Sequence, residues 1–115
     1  MQILVVDDDP LAGEMAVAIL EEAGHECQWV ENGVEALEKL AEAPIFDLVI
    51  SDMNMPLLSG LDLFWELRSQ GLTLPFVLLT GDEPASLLAQ EPGLAGCLMK
   101  DASLEDALPM LVNRL

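Results

Sequence analysis

The sequence predicts an α/β protein, a doubly wound five-stranded parallel sheet covered by five helices of which the fourth is short. Short apolar runs read as strands buried on both faces, segments of helical period alternate with them, and turn residues mark the junctions. The chain has 115 residues and is 52% apolar, which suits one core, so residues 1–115 are expected to form one domain.

The strands are expected at Ile3–Val6, Cys27–Glu31, Leu48–Ser51, Phe76–Leu79 and Gly96–Met99. Asp9-Pro10 reads as an N-cap followed by Pro at the first helical position. The helix it opens should place Leu11, Met15, Ile19 and Leu20 on one face and stop at Gly24. The second helix repeats Val34, Leu37 and Leu40 or Ala41 and should end near Pro44. Leu61, Phe64 and Leu67 predict a third helix between Gly60 and Gly71, and Leu104, Leu108, Leu111 and Leu115 predict the last. Between Gly81 and Gly96, Pro84, Pro92 and Gly93 leave room for about two turns around Ala85–Gln90.

With no internal repeat or low-complexity tract, five βα units fit the flavodoxin-like strand order 2-1-3-4-5. That order reverses between the first and third strands and opens a crevice at their carboxyl ends, where binding and chemistry are expected.

A net charge of −17 argues against direct contact with nucleic acid or anionic lipid and favours divalent cations and basic protein surfaces. Only Lys39, Arg68, Lys100 and Arg114 are basic. No leader or membrane-spanning run is apparent, and Cys27 and Cys97 lack zinc-ligand spacing, so a cytoplasmic protein with free thiols is expected.

The first strand runs into Asp7-Asp8-Asp9 and the third ends at Ser51-Asp52, so the strand order gathers these acids in one crevice. Crowded carboxylates repel unless a cation neutralises them, and Mg²⁺ (or Mn²⁺ or another divalent ion) suits oxygen ligands. Asp8 and Asp52 are the expected direct ligands, with Asp7 acting through water and the Asn54 carbonyl completing the set. Asp9 before Pro10 reads as a helix cap. Thr80 and Lys100 are the first polar residues after the fourth and fifth strands. Singly, such residues are ordinarily a turn hydroxyl and a solvated amine. Together with the acids they provide a nucleophile, Asp52, and partners for phosphoryl oxygens, which is most of what phosphoryl transfer requires.

The blocks Leu4-Val5-Val6-Asp7-Asp8, Asp47-Leu48-Val49-Ile50-Ser51-Asp52-Met53-Asn54-Met55-Pro56, Ser59-Gly60, Val77-Leu78-Leu79-Thr80-Gly81 and Leu98-Met99-Lys100 resemble the response-regulator receiver family of two-component signalling, in family order along the whole chain. The resemblance implies Asp52 as phosphoacceptor, Asp7 and Asp8 as the acidic metal pair, Asn54 as carbonyl ligand, Thr80 as switch hydroxyl and Lys100 as phosphate-pairing cation. Small Gly81 would leave access for the donor. It also implies a sensor histidine kinase or histidine phosphotransfer protein as partner and an output domain or protein downstream. The chain would then be a signalling phosphoacceptor, assisting its own phosphorylation and dephosphorylation, rather than an enzyme acting on a separate substrate.

Asp101 stands where the family has a Pro joined to the lysine by a cis bond. A non-Pro cis bond costs about 3 kcal/mol, so Lys100–Asp101 is expected to be trans. Cys97 replaces an aromatic whose rotamer reports phosphorylation, and the short fourth helix alters a surface used for output. A receiver-shaped interaction module that is never phosphorylated is therefore the main alternative. A haloacid-dehalogenase-like phosphatase would place its nucleophile on the first strand and a second Asp where Asn54 stands. His25 reads as a surface turn residue, and Trp29 and Trp65 as packing residues.

Overall fold

The computed structural model describes residues 1–43 and 45–115. Among the described residues the order is β1 (Gln2–Val6), α1 (Pro10–Glu22), β2 (Glu26–Val30), α2 (Gly33–Glu42), β3 (Leu48–Asp52), α3 (Gly60–Ser69), β4 (Phe76–Thr80), α4 (Pro84–Gln90), β5 (Gly96–Met99) and α5 (Leu104–Val112). The strands pair in parallel in the order β2-β1-β3-β4-β5, as expected, with ends within one residue of the sequence-based bounds. Pro44, the expected end of the second helix, lies outside the described residues.

Strand side chains alternate between two cores, as the pleat requires. Leu4, Val6, Val49, Phe76 and Leu78 pack with α2 and α3 on one face. Ile3, Val5, Leu48, Ile50, Val77 and Leu79 pack with α1 and α5 on the other. Both faces being covered, the inner strands carry near-continuous apolar runs that end where the sheet meets its loops.

The helix faces differ in part from expectation. In α1, Leu11 and Met15 are 67% and 56% exposed, and the buried stripe is Gly13, Ala16 and Leu20. Small side chains let the helix axis approach the sheet, and the larger ones are turned outward. For the same reason α2 buries Gly33, Ala36 and Leu40 and leaves Val34 exposed. Leu115 lies beyond α5 and is exposed. Gly24, at φ 95°, takes the left-handed conformation just after α1 and provides the expected stop.

Helix α4 has seven residues, Pro84 at its first turn, and no buried side chain. Its ends are tied instead. The Glu83 side chain caps the first turn, and beyond the last turn Glu91 accepts from the Trp65 indole N–H at 3.0 Å and from Gly93 N–H at 2.9 Å. Trp65 is thus a partly exposed bridge between α3 and the end of α4, and His25 lies partly exposed beside the turn that follows α1. No described peptide bond is cis, in line with the expected trans Lys100–Asp101 bond. No described helix is long and apolar enough to cross a membrane.

Candidate functional site

The parallel register brings strand ends from distant parts of the sequence to one edge. Val6 lies opposite Ser51, Asp52 opposite Leu79 and Thr80 opposite Met99, so Asp7, Asp52, Thr80 and Lys100 all stand at the carboxyl rim. Asp7, Asp8 and Asp52 each offer an oxygen within 4.8 Å of the others. Asp7 and Asp52 are buried, whereas Asp8 faces solvent. The Lys100 ammonium lies between the two buried acids, 2.7 Å from Asp7 Oδ2 and 3.3 Å from Asp52 Oδ1.

Every polar atom of Asp7 is engaged. Its N–H donates to the Val30 carbonyl at 3.1 Å and its carbonyl accepts from the Trp29 indole at 2.9 Å. Its carboxylate accepts from Asp9 N–H at 3.0 Å and from Lys100. Asp9 in turn caps α1 by accepting from Leu11 N–H. Asp52 is less constrained, since its Oδ1 accepts a long 3.4 Å bond from Asn54 N–H besides the Lys100 contact.

Burial holds the Asp52 carboxyl above its ordinary value. The Lys100 charge pulls it down, the Asp7 charge pushes it up, and the net result is upward. For Lys100, burial works against the charged form, but the hydrogen bond it donates to Asp7 and the charges of both acids outweigh it and raise the ammonium above its usual value.

Thr80 is buried, and its hydroxyl oxygen accepts from Asp82 N–H at 3.1 Å, tying the turn after β4 to the strand end. Among the described residues it makes no hydrogen bond to the acids. Its carbonyl accepts from Lys100 N–H at 2.7 Å, which fixes the start of the loop carrying the ammonium. Asn54 stands beside Asp52, to whose carboxylate its N–H donates. A Cβ added at Gly81 would meet nothing within 4 Å, so the space beside Thr80 is open. Asp101 shapes the following turn by accepting from Ser103 N–H at 2.9 Å, and Cys97 is buried in the core beneath α4.

These residues fit a hard divalent cation. One ammonium offsets one of three carboxylates, and the donors are all oxygens. Mg²⁺ and similar hard ions take such all-oxygen donor sets, commonly using one or two carboxylates and leaving water in the remaining positions.

The part Trp29 plays at the site and the backbone conformation of Leu57 are features that sequence reasoning missed. Trp29 packs as expected but also donates to Asp7, and the available signal was Gly13, an interior helical glycine that marks close approach. Leu57, five residues after Asp52, has φ 71° and is 90% exposed, a conformation that nothing in a Pro-Leu-Leu run announces.

A family model for the response regulator receiver domain matches residues 3–111. The sensor histidine kinase RcsC of Salmonella typhimurium is 38% identical over 107 residues, covering 91% of this chain and 11% of the kinase. Response regulator protein PmrA of Pseudomonas aeruginosa is 42% identical over 80 residues, covering 70% of this chain and 36% of the regulator. This chain therefore corresponds to about a tenth of that kinase's length and about a third of that regulator's. Among solved structures, response regulator TrrA of Thermotoga maritima, in complex with Mg²⁺-BeF, superposes with TM-score 0.85 at 34% identity, covering 98% of this chain and 96% of that one. Chemotaxis response regulator CheY4 of Vibrio cholerae gives 0.86 at 31% identity, covering 99% and 98%.

Proposed function

This chain belongs to the response regulator receiver domain family of two-component signalling, and we propose that it accepts a phosphoryl group onto Asp52 from a phosphohistidine on a sensor histidine kinase or histidine phosphotransfer protein. The observation that carries this reading is the Lys100 ammonium, held 2.7 Å from Asp7 and 3.3 Å from Asp52 beside the exposed carboxylate of Asp8.

Asp52 Oδ attacks phosphorus as the phosphorus–nitrogen bond of the donor breaks. The imidazole leaves with that electron pair, and an aspartyl phosphate remains. Lys100 needs only a small movement from Asp52 Oδ1 to pair with one phosphoryl oxygen, and the Thr80 hydroxyl turns from Asp82 to donate to another. When bound, a divalent cation such as Mg²⁺ or Mn²⁺ supplies further positive charge against the phosphoryl oxygens. Asp8 and Asp52 would hold it directly, the Asn54 carbonyl would add a ligand, and Asp7, both of whose oxygens are already engaged, would act through water. The open flank at Gly81 suits entry of the donor.

Residues 1–115 would act as one receiver domain in the cytoplasm, hydrolysing its own phosphate and passing the signal to an output domain or protein. Intact-mass analysis after incubation with Mg²⁺ and acetyl phosphate tests the reading. Wild type should gain one base-labile phosphate, while Asp52→Ala should gain none. Asp8→Ala should lose most of the adduct together with the Mg²⁺-dependent rise in melting temperature. An unmodified wild type that still binds Mg²⁺, across several small donors, would point instead to the unphosphorylated interaction module.

A further inference from the structure

We propose that Trp29 is a positioning residue for the acid centre: its indole N–H fixes the peptide that presents Asp7 and Asp8 to the cation, and its emission reports whether the centre is loaded. This rests on the divalent-cation site proposed above.

The Asp7 carbonyl that accepts from Trp29 Nε1 at 2.9 Å belongs to the peptide unit joining Asp7 to Asp8. That unit is planar, so holding its oxygen sets the rotation between the two residues and thereby the relative aim of their carboxylates. β2 grips the turn a second time, because the Val30 carbonyl accepts from Asp7 N–H at 3.1 Å. Asp8 is exposed, and the tie on the preceding carbonyl steadies the backbone from which it projects.

Helix α1 keeps the indole in place. A Cβ at Gly13 would lie 2.4 Å from Trp29 Nε1 and 2.7 Å from Cδ1, so the helix passes directly over the donor end of the ring. The ring is packed against the core that contains β1 and α1, and only a residue without a side chain at position 13 leaves it room. Groups that orient metal ligands by hydrogen bonding commonly change metal affinity by about 10–100-fold when removed. Trp29 acts one bond further back, through the backbone, which places its effect near the lower end of that range.

The chain has two tryptophans, and Trp65 is bound to Glu91 between α3 and the end of α4. Trp65→Phe therefore leaves Trp29 as the sole indole emitter. In that variant, Mg²⁺ titration should give a saturable change in emission with the affinity of wild type, and adding Asp8→Ala should abolish it. Trp29→Phe keeps an aromatic ring but loses the N–H, and calorimetric titration should show about tenfold weaker Mg²⁺ binding. Gly13→Ala, which displaces the ring from the other side, should weaken binding similarly and carries the test if Trp29→Phe does not fold.

Melting temperature measured without metal separates lost stability from lost ligation, because a purely structural role would lower stability and leave the affinity of the folded protein unchanged. Wild-type Mg²⁺ affinity in both Trp29→Phe and Gly13→Ala would overturn the proposal, as would absence of any emission change in Trp65→Phe. Phosphoryl transfer is scored separately: a wild type that binds Mg²⁺ but takes no phosphate overturns the phosphoacceptor reading, while the affinity ratios still decide the role of Trp29.

Discussion

At Asp52, burial raises the carboxyl above its ordinary value even though Lys100 lies 3.3 Å away. A raised value means that the folded chain holds the proton more tightly than the unfolded chain does. Metal-free stability therefore falls as pH rises from the ordinary carboxylate range through the folded value of Asp52, and the full penalty stands above it. Asp52→Asn removes that penalty, so at neutral pH without metal it should melt several degrees higher than wild type. The gap should narrow as pH falls through that range, and a calorimetric pH series reads it directly. Equal melting at neutral pH would mean that attraction to Lys100 cancels the cost of burial. Asp7, Asp52, Thr80 and Lys100 were legible because each ends or follows an apolar strand, where a polar side chain has little packing reason to stand. Trp29 was legible only as bulk, since its donor role depends on how closely α1 approaches.

Among the elements, α3 is joined directly to the end of the strand that carries Asp52. Ser59 and Asp62 form a reciprocal capping box, and Gly60 N–H donates to the Met53 carbonyl at 2.9 Å, so the first turn of the helix rests on the end of β3. A Cβ on Gly60 would lie 2.6 Å from the Asp52 carbonyl oxygen and 2.5 Å from a Leu78 methyl. Gly60→Ala should therefore cost about 1–3 kcal/mol in urea unfolding and slow labelling of Asp52 by moving its backbone. Unchanged stability would show that the turn relaxes without strain. Strands and helix positions followed from periodicity, but helix faces did not always. In α1 and α2 the buried stripe is set by small residues that permit close packing, a preference that counting large apolar side chains inverts.

The whole molecule was legible where local pattern and topology coincide. Buried strands separated by helical segments specify a two-faced sheet, and the strand order then places the site. Four basic residues stand against twenty-one acidic ones, and Lys100 is committed to the acid centre, which leaves an outer surface suited to cationic partners. Helix α4 stands apart in this arrangement, secured at its two ends and burying none of its own side chains. Its hold on the core rests on half-buried Leu87 beside Cys97, so α4 is expected to open ahead of the sheet. In hydrogen–deuterium exchange, amides of residues 85–90 should exchange at least about 100-fold faster than those of β1, β3 and β4, which wait for global unfolding. Uniform protection would mean that the Glu91–Trp65 bridge locks α4 to the rest of the fold. Independent opening would give this chain a segment that rearranges without disturbing the core.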